Sequence, residues 1–191
     1  MCGRYTLFDN SKSKLKKKVN IKPNYNIVPG SNVLLINKKC EYFFMPWSLN
    51  FSFLKSLNII NARSETIYKK KIFKNTKRCI FVANGYYEWK RKKNKKVPYY
   101  HHFLNKMMYF AGLFNEHGAC IVTRASYVNT MKIHHRQPVL LEYEDFSSWF
   151  LGTSNFECNT TKDLKIDEVS TQVNIPANNR MDNIFPVKNH I

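Results

Sequence analysis

Short apolar or alternating runs, bounded by turn residues, dominate the chain, and they predict strands far more often than helices. Residues 2–8 alternate as a short strand, and residues 11–18 form a basic, weakly helical segment with Ser11 as its N-cap. Residues 23–30 are a loop fixed by Pro23, Pro29 and Gly30. Two strands follow at 32–37 and 40–47, joined at Lys38-Lys39, and 51–57 is apolar without a clear period. Residues 59–66 predict a strand running into a loop and a helix, and 66–74 is strongly basic. The strongest strand pattern spans 78–89, broken at Asn84-Gly85, a dipeptide that favours a hairpin turn. Residues 90–96 read as a solvated charged loop, 97–104 and 107–114 as a hairpin around Asn105-Lys106, and 119–125 as a further strand. The pattern closes with a short strand at 138–141, a helix at 144–151 stopped by Gly152, a late strand at 169–173 and a Pro/Asn-rich loop. With no repeat and no long linker, these elements predict one α+β domain over residues 1–191, built on a curved mixed sheet.

Charge changes that picture most. The 191 residues hold 31 Lys+Arg against 13 Asp+Glu, a net +18, with 15% aromatics. This excess points to a polyanionic partner, nucleic acid first, although plentiful Lys, Asn and Ile also suit an AT-rich coding sequence. The five cysteines are odd in number and scattered, with no Cys-x-x-Cys, which argues against a zinc site or a disulfide framework. No metal or other cofactor is called for. With no signal-like apolar start and no run of about 18 apolar residues, the expectation is a soluble intracellular monomer: cytoplasmic or nucleoid-associated, nuclear in a eukaryote.

The candidate chemistry sits at Cys2. Removal of Met1 would leave a thiol and a free α-amine on adjacent carbons, with reference pKa values of about 8.5 and about 7.7–8.0. Such an aminothiol condenses with an aldehyde to an imine, which the thiol closes to a thiazolidine ring. Alone, Cys2 reads first as a small buried residue near a strand end.

Four stretches tip that balance: Met1-Cys2-Gly3-Arg4, Asn61-Ala62-Arg63-Ser64-Glu65, Gly85-Tyr86-Tyr87-Glu88-Trp89-Lys90 and Ile133-His134-His135-Arg136-Gln137-Pro138-Val139. Taken in order, they resemble the SRAP (SOS response-associated peptidase) family, whose members are also described as abasic-site processing proteins. Lesser matches at 25–30, 47–49, 111–113 and 169–174 extend the resemblance over the whole chain.

The resemblance implies an open, barrel-like α+β fold and a covalent thiazolidine crosslink between Cys2 and abasic sites in single-stranded DNA, shielding the lesion. It implies that Asn61 orients the sugar beside Cys2, that Glu88 shuttles protons and that His134 acts as an acid-base group near the imine. Arg4 and Arg63 would hold phosphate through the planar guanidinium fork, Trp47 would stack on bases, and Arg136 joins them as a DNA-binding residue. Lyase and self-processing peptidase activities belong to the same implication. Taken singly, Asn61 reads as a turn former, Arg63 and His134 as surface residues, and Glu88 as a salt-bridge partner for lysines. A non-covalent basic single-strand binder is the reading from outside the enzyme class. The sequence departs from the family pattern at His135, where aspartate is common, at Gln137, where methionine is, and at Asn84, where aspartate is.

Overall fold

The apolar runs pair into two principal sheets and one small ribbon. The computed structural model describes residues 2–15, 19–52, 54–93, 95–153 and 163–187. In chain order its strands are β1 (Arg4–Leu7), β2 (Asn24–Ile27), β3 (Asn32–Ile36), β4 (Tyr42–Pro46), β5 (Leu49–Phe51), β6 (Leu54–Ile59), β7 (Asn61–Arg63) and β8 (Lys77–Ala83). They continue with β9 (Gly85–Lys92), β10 (Lys95–His102), β11 (Met108–Phe114), β12 (Ala119–Ala125), β13 (Arg136–Pro138), β14 (Leu140–Leu141) and β15 (Lys165–Glu168). Helices are few and short: α1 (Val128–Met131), α2 (Phe146–Leu151) and four 3₁₀ turns among the described residues.

The first sheet is antiparallel throughout, in the order β15-β10-β9-β1-β2. The second runs β13-β12-β11-β8-β3-β4, with β14 added on β11 and β7 lying parallel to β12. Neither order closes on itself, so the expected α+β fold with mixed sheets is present and stays open. The layers meet through aromatic edges: Tyr5 of the first sheet packs on Phe110 (5.8 Å between ring centroids) and Phe81 (6.4 Å) of the second, and Tyr86 on Phe110 (6.0 Å). Such T-shaped contacts put positive ring edges against negative faces.

Most strands followed the hydrophobic pattern, but β2 lies inside the expected loop at 23–30, and several connections also differ. Asn84-Gly85 is no hairpin: β8 pairs with β11 and β3 in one sheet, β9 with β1 and β10 in the other, and the chain steps between layers there. A two-residue Asn-Gly turn needs positive φ at both positions, and neither residue has it. Asn84 instead fastens the end of β1, accepting on Oδ1 from the N–H of Phe8 (2.7 Å) and Asp9 (3.1 Å) and donating its own N–H to Thr6 O (2.8 Å). Gly85 is required by proximity, since a Cβ there would lie 2.5 Å from the Tyr100 ring and 2.6 Å from His101 O.

The supposed hairpin around Asn105-Lys106 likewise joins β10 and β11 in different sheets. The supposed charged loop at 90–96 is largely the end of a real hairpin, in which β9 runs to Lys92 and β10 resumes at Lys95. Residues 66–74 make turns and one 3₁₀ turn, Lys71–Phe73, rather than a helix. No helix covers the described part of 11–18, and residues 16–18 lie outside the described residues. The late strand is β15, ahead of its expected place, while Thr171–Asn174 is a 3₁₀ turn.

Trp47 also needs correction. It is fully buried, its ring 5.2 Å from Tyr5 and its Nε1–H donated to Ile60 O at 2.9 Å, so no face is open to a nucleobase. The apolar residues around it draw it inward, and its one polar atom finds a carbonyl there. We expect Trp47→Ala to lower unfolding stability in urea by about 3–5 kcal/mol, the usual cost of truncating a buried aromatic. Unchanged stability would return Trp47 to the surface role.

Candidate active site around Cys2

β1 holds Cys2 in place. It is paired on both edges, with β9 (Arg4↔Tyr87, Tyr5↔Tyr86, Thr6↔Gly85) and with β2 (Tyr5↔Ile27). Cys2, two residues before this strand, is completely buried. Three other segments converge on it. Asn61, at the start of β7, donates Nδ2–H to the Cys2 carbonyl at 2.8 Å. Glu88 on β9 is 5% exposed, and its Oε1 accepts the N–H of Trp89 at 3.3 Å. His134, after α1, brings Nδ1 to 3.9 Å from Glu88 Oε2. Four residues remote in sequence therefore come together, Cys2 and Glu88 buried and Asn61 and His134 half-buried.

Burial pushes the Cys2 thiol far above its ordinary range, and the charge of Glu88 adds to the effect. A thiolate there would lose hydration and face a second anion. The His134 imidazole is pushed down, chiefly by burial, against the opposing pull of Glu88. The Arg136 N–H donates to His134 Nδ1 at 3.0 Å, which suits a neutral ring with its proton on Nε2. His135 stacks on His134 with centroids 4.3 Å apart and further disfavours the cation. Gln137, buried, accepts the Tyr127 N–H on Oε1 at 3.0 Å and so anchors the segment that carries His134.

Two tyrosines escaped the sequence reading. Tyr5 and Tyr86 are register partners, and burial first, then Cys2, pushes both phenols well up. Their hydroxyls, with Asn61 Oδ1, are buried polar atoms without a hydrogen-bond partner among the described residues. Tyr86 could have been found from strand parity, since it stands two residues before Glu88 and so shares its face of β9.

The arginines divide. Arg63 is exposed. Arg4 is half-buried, its Nη1 donating to Asn26 Oδ1 (2.8 Å) and Val173 O (2.7 Å) and its guanidinium 5.8 Å from the Trp89 ring centroid. Arg136 departs from the DNA-binding expectation. It is buried, with both Nη atoms bonded to Glu65 and Nη2 also to Thr123 O at 2.7 Å, so its fork is already filled. Among the described residues no group of three or more His, Cys, Asp or Glu side chains could hold a metal ion.

The same fork holds the Glu65 carboxyl down at about 2, the hydrogen bond outweighing partial burial. A lowered carboxyl stabilises the fold above its unfolded pKa, near 4.3, and that contribution fades as pH falls towards 2. We expect the stability gap between the parent and Glu65→Gln to narrow steadily from pH 6 to pH 2 in urea titrations. A gap independent of pH would mean that the pair does not couple folding to protonation.

Comparison with known proteins places these residues in context. The model of the SOS response associated peptidase (SRAP) family matches residues 1–176. Abasic site processing protein YoaM of Bacillus subtilis is 29% identical over 229 residues, covering 100% of both chains. Abasic site processing protein YoqW, also of Bacillus subtilis, is 30% identical over 218 residues, covering 94% of this chain and 96% of its own. A crystal structure of a protein from Bacteroides thetaiotaomicron shares the fold with TM-score 0.74 and 20% identity, over 87% of each chain.

Proposed function

The chain belongs to the SOS response associated peptidase (SRAP) family, and we propose that it processes abasic sites in single-stranded DNA by forming a covalent crosslink through Cys2. The observation that carries this reading is the meeting of buried Cys2 and Glu88 with half-buried Asn61 and His134. The names of its relatives YoaM and YoqW supply the substrate class.

With Met1 removed, the α-amine of Cys2 adds to the C1′ aldehyde of the open sugar and water leaves, giving an imine. The S–H then adds across the C=N bond: sulfur bonds to C1′, the proton goes to nitrogen, and the thiazolidine ring closes. The amine acts first because burial and Glu88 keep the thiol protonated. Glu88 carries protons for ring opening of the sugar and for loss of water, and neutral His134 relays them at the imine. Asn61 fixes the Cys2 backbone, and exposed Arg63 takes the neighbouring phosphate. A cysteine peptidase would need a ready thiolate, and the same burial works against one here.

The crosslink is tested by incubating the protein with abasic single-stranded DNA, then running denaturing gels and measuring intact mass. We expect a stable adduct on a chain lacking Met1. Cys2→Ala should abolish it, and an undiminished adduct in that variant would overturn the mechanism. Glu88→Gln should slow crosslinking by about 10²–10⁴-fold, the usual range for a general acid-base group, with single-strand binding retained. Equal rates in the two proteins from acid to mildly alkaline pH would leave Glu88 a structural role only.

A further inference from the structure

A groove of about 960 Å³ opens on the protein, and it shares no lining residue with the Cys2 site. Its walls come from the β3–β4 turn and from residues 67–78, with Leu113, Phe114 and Phe150 completing the lining. Strand alternation sets it on the far face of the second sheet. Phe81 of β8 points between the layers, against Tyr5 and Trp47. Arg78, of opposite parity on the same strand, points the other way, over the rings of Trp149 (5.0 Å) and Tyr68 (5.6 Å).

Eight basic side chains line the groove against one carboxylate, Glu41. Lys69, Lys70, Lys71, Lys74 and Lys77 are all exposed, and no described carboxylate lies within 4.0 Å of any of them. Clustered cations without counter-charges repel one another, so the fold tolerates them at a cost that a polyanion would relieve. Arg78 is engaged already, donating to Trp149 O (3.0 Å) and the Tyr68 hydroxyl (3.1 Å), and the second bond steadies a ring that remains 59% exposed.

We propose that this groove is a second nucleic-acid site, holding undamaged single-stranded DNA with its phosphates on Lys69, Lys70, Lys71 and Lys74 and a base stacked on Tyr68. Single strands fit better than a duplex, whose bases are paired inward and cannot reach a ring at the groove wall. Residues 64–74 leave β7 directly after exposed Arg63, so the groove and the proposed phosphate contact stand at the two ends of one loop. The inference does not rest on the chemistry at Cys2.

The experiment compares the parent with a K69Q/K70Q/K71Q/K74Q variant, all at exposed positions, by fluorescence anisotropy on undamaged oligothymidine across a salt series. A control variant, R91Q/K93Q/K95Q/K96Q, removes the same charge from the exposed tip of the β9–β10 hairpin. For the groove variant we expect the log–log salt slope to become shallower by up to about 2.8, at about 0.7 per single-strand phosphate contact. The control should change it much less. Tyr68→Ala should weaken oligothymidine binding roughly 5- to 150-fold and leave duplex binding unaltered. Equal losses in the two quadruple variants would reduce the effect to net charge and overturn the groove, as would an unchanged slope. Crosslinking of a very short abasic oligonucleotide is measured alongside. If it fails in the parent, the reading of Cys2 falls while the groove stands, and if it drops with the lysines, the two sites are one.

Discussion

The site depends on a four-residue strand that is held on both edges. β1 lies inside the first sheet, between β9 and β2, and its two ends are fixed by different means. Beyond its far end, Asn84 accepts two backbone N–H groups and so stops the strand where the chain must turn away. At its near end, Arg4 reaches Asn26 and the carbonyl of Val173, tying the strand to a 3₁₀ turn late in the chain. Tyr5, between them, is sunk into the aromatic contact of the two sheets. A residue two positions before such a strand has little freedom left, and the bond from Asn61 to the Cys2 carbonyl removes more of it. Order at Cys2 is thus a consequence of the sheet rather than of local contacts alone.

That placement has an electrostatic result. Glu88 and Cys2 share a poorly hydrated space, and ionising both would set two anions together. The thiol yields, because burial alone already disfavours its charge. His134 is kept off its cationic form by burial and by the neighbouring His135, and this leaves a base beside the carboxylate rather than a fixed ion pair. Such an arrangement is poor for thiolate attack and well suited to an amine nucleophile helped by a proton carrier.

Most strand positions were legible in the sequence because alternation reports burial directly, and burial is what a strand of a two-layer fold must satisfy; β2 was not, since Asn24-Tyr25-Asn26 between Pro23 and Pro29 has the composition of a loop. Pairing was not legible. Asn84-Gly85 carries the composition of a hairpin, yet the glycine is there because Tyr100 and His101 press on it, a contact made only once β10 is in place. Trp47 and Arg136 went astray for a related reason: large amphipathic side chains serve nucleic acids and cores equally well, and only a partner such as Ile60 O or Glu65 decides between them. Cys2, Asn61, Glu88 and His134 were visible through short motifs and Tyr86 through its parity with Glu88, whereas Tyr5 needed the register of β1 on β9 to show that it stands beside Tyr86.

Arg136 acts on the site through β7. Only three residues long, β7 runs parallel to β12 with Asn61↔Ile121, Ala62↔Val122 and Arg63↔Thr123 as partners. With a period of two, Asn61 and Arg63 share one face and Ala62 turns to the core, where it is buried. A slip by one residue would bury the arginine and withdraw the amide from Cys2. So short a pairing holds its register weakly, and the buried Arg136 reinforces it. Its fork grips Glu65, just past β7, while Nη2 bonds Thr123 O on β12. The carbonyl of Thr123 also accepts the Ser64 N–H at 2.8 Å, so strand, loop and arginine converge on one acceptor. Arg136 thereby keeps Asn61 on Cys2 and Arg63 in solvent at once, with its own charge spent inside the fold.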